Sequence, residues 1–191
     1  MTACLVVLAS GSGTLLQALM DACDDGRVDA EIVAVGSDVA DCTAVERAQA
    51  AGILTFVSAP ADFSSREQWN AAMTELVGAA SPDLVVSAGF MRILGPEFID
   101  AFPGRIINTH PALLPAFPGA HAVRDALACG VKVTGCTVHV VDQGVDTGPI
   151  LAQRAVAIRD DDDEESLHER IKAEERELLI ETVSRWIGES A

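Results

Sequence analysis

Asn108 and His110 stand two residues apart in Asn108-Thr109-His110-Pro111, directly after the apolar pair Ile106 and Ile107 and before a proline-rich segment that runs through Pro115 and Pro118 to Gly119. Side chains two apart on an extended strand share a face. A carboxamide donor and an imidazole aimed at one atom suit a carbonyl under attack, the amide stabilising a developing oxyanion and the imidazole moving a proton. A second loop, Asp142-Gln143-Gly144-Val145-Asp146-Thr147-Gly148-Pro149, offers a carboxylate whose charge favours the protonated imidazole. Spacing alone does not choose between Asp142 and Asp146.

A histidine in a loop is more often structural, and an asparagine before a proline-rich turn often only caps backbone groups. Three features favour chemistry here. The pair ends a strand, prolines stiffen the loop after it, and an acidic, glycine-rich loop follows the next long strand. Addition of an amine to an activated acyl group uses these roles. No serine or cysteine occupies a nucleophile-elbow motif, so the transfer is expected to be direct, without a covalent enzyme intermediate.

The first glycine-rich turn, Ala9-Ser10-Gly11-Ser12-Gly13-Thr14-Leu15, follows an apolar run and opens an amphipathic one, where parallel sheets expose backbone N–H groups to phosphate. Leu16 takes the third glycine position of a dinucleotide fingerprint, and no Walker lysine follows. A compact phosphate monoester fits better than a dinucleotide, and a tight turn needing glycine explains the residues equally well. Gly89 to Leu94 ends another strand and offers apolar side chains to a flat heterocycle, although core packing accounts for it as well. His139 is expected to be packed within a strand, His168 to be solvated on an acidic helix, and His121 to brace a helix start. No spacing resembles a zinc site, and no metal is expected.

Positioning these groups requires a particular scaffold. Apolar runs alternate with amphipathic stretches: Leu5 to Leu8 then Leu15 to Cys23, Ile32 to Val35 then Thr43 to Ala51, and Leu84 to Ser87 then Leu94 to Phe102. That alternation predicts βαβ units, and continuously apolar strands predict helices on both faces. The expected fold class is α/β, doubly wound around a mostly parallel central sheet. Ser64 and Glu67 have capping-box spacing for a helix to about Ala79, stopped by Pro82. Strand Ile106 to Asn108, a helix near His121 to Cys129, strands Val133 to Val141 and Ile150 to Val156, and a helix from Glu164 ending near Gly188 follow.

A chain of 191 residues that is 49% hydrophobic suits one domain, 1–191, with a sizeable core. A formal charge of −16 disfavours nucleic acid over most of the surface, while a small anion can still be held by local N–H groups. Much of the acidity lies at Asp160 to Glu165, read as a solvated helix N-terminus. Without a long apolar run or a signal-like start, a cytoplasmic protein off the membrane is expected. The five cysteines include no C-x-x-C pair and read as buried, reduced thiols.

Taken together, Ser10-Gly11-Ser12-Gly13-Thr14, Ala88-Gly89-Phe90-Met91-Arg92-Ile93-Leu94, Asn108-Thr109-His110-Pro111-Ala112-Leu113-Leu114-Pro115 and Asp146-Thr147-Gly148-Pro149-Ile150-Leu151 resemble, in order and over nearly the whole chain, the folate-dependent glycinamide ribonucleotide transformylases of purine synthesis. The resemblance implies formyl transfer from the co-substrate 10-formyltetrahydrofolate to the amine of glycinamide ribonucleotide, with Asn108, His110 and Asp146 catalytic. It implies a Rossmann-like, phosphate-binding half at about 1–100 and a catalytic, folate-binding half at about 101–191.

By the same resemblance Gly11, Ser12, Gly13, Thr14 and Leu15 receive the phosphate, and Glu175 lies near the glycinamide end. Arg66, Met91, Arg92, Ile93, Leu94, Asn108, Val141, Asp142 and Asp146 line the folate site. Leu114-Pro115 is expected to be cis. Leu15 stands where several relatives carry asparagine, so backbone N–H groups must hold more of the phosphate. The chain ends soon after Trp186, where many relatives continue. Two other readings remain: a formyl-folate hydrolase or a formyltransferase for another amine, which would be expected to carry a regulatory or basic appended domain, and a non-catalytic sensor of a phosphorylated ligand. The sequence leaves the oligomeric state open, a homodimer included.

Overall fold

Residues 2–190 are described in the computed structural model. Seven strands form one sheet: β1 (Ala3–Leu8), β2 (Ala30–Ser37), β3 (Leu54–Val57), β4 (Leu84–Ser87), β5 (Ile106–His110), β6 (Val133–Val140) and β7 (Ile150–Ala157). Their spatial order is β3-β2-β1-β4-β5-β6-β7. The first five run parallel, and β6 and β7 are antiparallel additions. The α/β, doubly wound, mostly parallel sheet is therefore as the sequence predicts. β1 and β4 are neighbours although two strands separate them in the chain, and such a reversal of strand order opens a crevice at the strands' carboxyl ends.

The α-helices among the described residues are α1 (Thr14–Asp24), α2 (Thr43–Ala50), α3 (Arg66–Ala79), α4 (Pro96–Ala101), α5 (Ala122–Cys129) and α6 (Glu164–Ser190). Leu5 and Val7 of β1 join the core under Leu16 and Leu19 of α1 and Leu167, Ile171, Leu179 and Val183 of α6. Val6 and Leu8 point the other way, into a core built on Trp69, Met73 and Val77 of α3 and Phe98 of α4. Burial on both faces is the reason β1 and β4 carry unbroken apolar runs.

Several local expectations change. Ser65, not Ser64, caps α3, its hydroxyl accepting the Gln68 N–H, while Ser64 donates to the Gln68 side chain. The edge strand β3 lacks a sequence signal because Leu54 and Val57 face solvent, so no buried pattern marks it. α6 runs past Gly188 to Ser190. Only Cys42 and Cys136 are buried; Cys4 and Cys23 are partly accessible, and Cys129 is exposed. His168 is half-buried, and its desolvation together with the Lys172 charge lowers its pKa. Within the acidic run, Asp162 is not solvated: its carboxylate takes Arg170, the Arg159 N–H and the Ser166 hydroxyl. No helix among the described residues is long and apolar enough to cross a membrane.

Candidate active site

The carboxyl ends of β1, β4 and β5 lie side by side, which brings together three loops distant in sequence. Along β5 the side chains alternate. Ile106 packs with the Trp69 core and Ile107 with the α6 core, so Asn108 and His110 fall on the Trp69 side and Thr109 on the α6 side.

His110 is buried, and both ring nitrogens meet acceptors. Nε2 is 2.8 Å from the Phe117 carbonyl oxygen, and Nδ1 is 3.3 Å from Asp146 Oδ2. Two acceptors are both satisfied only by an imidazolium, which donates from each nitrogen. Asp146 has φ +55°, a left-handed backbone uncommon for a non-glycine residue, and its Oδ2 also accepts the Gly119 N–H at 2.8 Å. The His139 ring, then the Gly119 N–H and the His110 charge, hold its carboxyl below the usual carboxylate range against the opposing cost of burial. Asp142 is spent within its own loop, its Oδ1 accepting Gly144 N–H at 3.0 Å and the Thr147 hydroxyl at 2.8 Å. Of the two carboxylates, Asp146 is the one that faces His110.

The loop after His110 is pinned from β6. The Thr137 hydroxyl donates to the Ala112 carbonyl and accepts the Leu114 N–H, and Gln153 of β7 donates to both Thr137 and the Leu114 carbonyl. Leu114-Pro115 is cis, as the resemblance implies. Gly148 is needed for close approach, since a Cβ there would lie 1.8 Å from the Val140 carbonyl oxygen.

The turn after β1 is an open helix start. Gly13 sits at φ +68° as the residue before α1, with no side chain capping the helix N–H groups. The Gly11 carbonyl accepts Ala44 N–H, and Ser12 carbonyl accepts Arg47 Nε, so α2 holds the loop from behind. Leu15 is buried and presents only its backbone. Asp38, at the end of β2, is tied to Ser10 Oγ at 2.5 Å and Arg92 Nε at 2.6 Å, and Ser10 Oγ accepts the Met91 N–H. That network ties the β1 and β4 loops together.

In the β4 loop, Met91 and Ile93 are 74% and 63% exposed, while Leu94 is buried with the Trp69 core. Arg66 lies 4.7 Å over the Trp69 ring and donates to the Ile93 carbonyl. The Val141 N–H donates to Ile106, fixing where the Asp142 to Asp146 loop departs. Glu175, on α6, meets β5 from the opposite face, taking a hydrogen bond from Thr109; burial pushes its carboxyl up to about 7 despite Thr109, Lys172 and Arg176. Among the described residues no cluster of side chains could hold a metal ion.

His139 is packed within β6, as expected, and it also reaches the site. It lies directly opposite Asn108 in the β5–β6 ladder, with Nε2 3.3 Å from Asn108 Nδ2 and 3.5 Å from Asp146 Oδ1. A signal was present in the alternation of polar Thr137 and His139 with apolar Val138 and Val140, which puts the polar pair on one face. His121 precedes α5 but makes no side-chain cap.

A doubly wound sheet with amide, imidazole and carboxylate gathered at its carboxyl edge has the layout of an acyl-transferring enzyme. This chain belongs to the formyl transferase family, whose model matches residues 3–183. It is 60% identical over 180 residues to a phosphoribosylglycinamide formyltransferase of Mycobacterium tuberculosis, covering 94% of this chain and 83% of that one. The protein of the same name from Escherichia coli is 38% identical over 185 residues, covering 97% and 87%. The crystal structure of glycinamide ribonucleotide transformylase 1 from Symbiobacterium toebii matches with a TM-score of 0.94 at 47% identity, covering 96% of this chain and 86% of that one.

Proposed function

We propose that this enzyme transfers the formyl group of 10-formyltetrahydrofolate to the primary amine of glycinamide ribonucleotide. The observation that carries the reading is the convergence of Asn108, His110 and Asp146 at the end of β5, in a family whose relatives bear that activity in their names. The amine attacks the formyl carbon directly and forms a tetrahedral intermediate. Asn108 Nδ2–H and the His110 imidazolium donate to its oxyanion, the His110 Nε2–H exchanging the Phe117 carbonyl for the formyl oxygen. Asp146 keeps the imidazole charged and, through water, passes the proton lost by the amine to N10 of the departing tetrahydrofolate. No bond to the enzyme is formed.

Gly11, Ser12, Gly13, Thr14 and Leu15 bind the phosphate through backbone N–H groups at the uncapped start of α1, a role favoured by the helix dipole. Exposed Met91 and Ile93 cover the pterin, and Arg66, Arg92, Leu94 and the backbone of Val141 to Asp146 shape the rest of that site, Leu94 from beneath. Glu175 serves the glycinamide end from the α6 side of β5. A site that takes two small molecules accounts for the residues present.

Steady-state consumption of 10-formyltetrahydrofolate by the purified protein, with and without glycinamide ribonucleotide, tests this. Turnover that depends on the ribonucleotide is expected. Equal turnover without it would make the protein a hydrolase, and binding of both ligands without turnover would make it a sensor.

A further inference from the structure

Asp38 stands just past the end of β2, yet both its carboxylate oxygens are taken by loops of other strands. β1 lies between β2 and β4 in the sheet, so the side chain reaches over the end of β1 to the β4 loop. It is 1% exposed, and a buried carboxylate carries a desolvation cost that only well-placed partners offset. The direction of each bond is fixed. The Met91 N–H can only donate, so Ser10 Oγ accepts from it at 2.8 Å and gives its single hydrogen to Asp38 Oδ1. Arg92 Nε donates to the other oxygen, Oδ2. The two loops differ in what else holds them. The β1 loop is also held from α2, by the Ala44 N–H on the Gly11 carbonyl and by Arg47 on the Ser12 carbonyl. Met91 and Arg92 are held through Ser10 and Asp38, and the next anchor of their loop, Arg66 on the Ile93 carbonyl, lies beyond them.

From this geometry we infer that Asp38 is a positioning residue that holds the Met91–Arg92 segment where the folate ring is received, with the β1 loop as its anchor. Asp38 acts through Ser10 and Arg92. Holding the segment in place before the ligand arrives removes the cost of ordering it on binding. Without the carboxylate, the Ser10 hydroxyl is free to rotate away from the Met91 N–H, and Arg92, whose side chain is 45% exposed, turns to water. The β1 loop keeps its bonds to α2, so the loss falls on the β4 loop. Bound folate draws the segment back into place, and the effect therefore appears in folate affinity more than in the rate at saturation. The inference rests on the formyl-transfer reading for what binds there, whereas the joining of the two loops is a property of the free protein.

The test uses Asp38→Ala, Asp38→Asn, Ser10→Ala and the double variant Asp38→Ala with Ser10→Ala, with unfolding followed to confirm the fold. Kd for tetrahydrofolate is measured on each, together with kcat and KM for 10-formyltetrahydrofolate and for glycinamide ribonucleotide. Asp38→Ala and Ser10→Ala are each expected to raise Kd and KM for the folate about tenfold, with kcat and KM for the ribonucleotide changed less than about threefold. A variant that merely folds less well loses active protein, which lowers kcat and leaves both KM values alone. Asp38→Asn, whose amide oxygen still accepts the Ser10 hydrogen while its amino group faces Arg92, is expected to fall between Asp38→Ala and the wild type. The double variant binds folate no more weakly than the weaker single variant, because the two residues act as one unit. Equal rises in both KM values, or unchanged folate affinity, overturn the inference. Independently of any ligand, hydrogen exchange at the Met91 amide is expected to be about fivefold faster in Asp38→Ala and Ser10→Ala than in the wild type. Unchanged exchange overturns the inference, whereas wild-type protein that binds tetrahydrofolate but shows no ribonucleotide-dependent turnover, with the faster exchange present in the variants, would count against the reaction alone.

Discussion

Asp146 Oδ2 stands 3.3 Å from His110 Nδ1 and accepts the Gly119 N–H at 2.8 Å, so one carboxylate oxygen both faces the imidazole and ties down the loop that follows it. Asp146→Asn separates these duties, because an amide oxygen can keep the Gly119 bond while the charge is lost. The variant is expected to fold normally, lose kcat, and show a pH–rate profile that differs from the wild type's. An unchanged profile would take the electrostatic role away from Asp146.

Asn108→Ala and His110→Ala each remove a donor to the oxyanion. Each is expected to lower kcat by roughly two or more orders of magnitude while substrate affinity changes little. Equilibrium binding of glycinamide ribonucleotide alongside single-turnover rates checks this; near wild-type turnover in either variant would sink the mechanism.

Glu175 links stability to pH. Its carboxyl, ordinarily near 4.5, is raised to about 7 in the folded chain, so between those values the native state holds more proton than the unfolded one. Stability therefore falls as pH rises through that window and levels off above it, by an amount on the order of 3 kcal/mol at most. Glu175→Gln keeps the shape without the buried charge. Urea unfolding at pH 5 and pH 8 should show a smaller difference between the two pH values for the variant than for the wild type; equal differences would mean that Glu175 is not the linked group.

Gly13→Ala tests the phosphate loop. At φ +68° an L side chain is strained, and the added Cβ would lie 2.7 Å from Ala44 Cα, which backbone cannot easily yield. The variant is expected to lose about 2 kcal/mol or more of stability and to raise KM for the ribonucleotide well beyond its effect on KM for the folate. An equal rise in both would place the phosphate elsewhere.

The layered α/β fold was legible because burial on both faces writes an unbroken apolar run into β1 and β4, and because helix periodicity survives in α1 and α6. The candidate residues Asn108 and His110 were legible for a similar reason: a spacing of two on a strand is a local fact that fixes a shared face. β3 was not legible, since an edge strand with Leu54 and Val57 toward solvent carries no burial pattern. Nor could the sequence choose Asp146 over Asp142, because that choice depends on a loop that turns Asp142 onto Thr147 and carries Asp146 through a left-handed conformation to His110. The partnership of His139 with Asn108 was hidden for the same cause. Residue types and periodicities are local and belong to the sequence, whereas strand register joins residues far apart in the chain and is set only when the whole sheet packs.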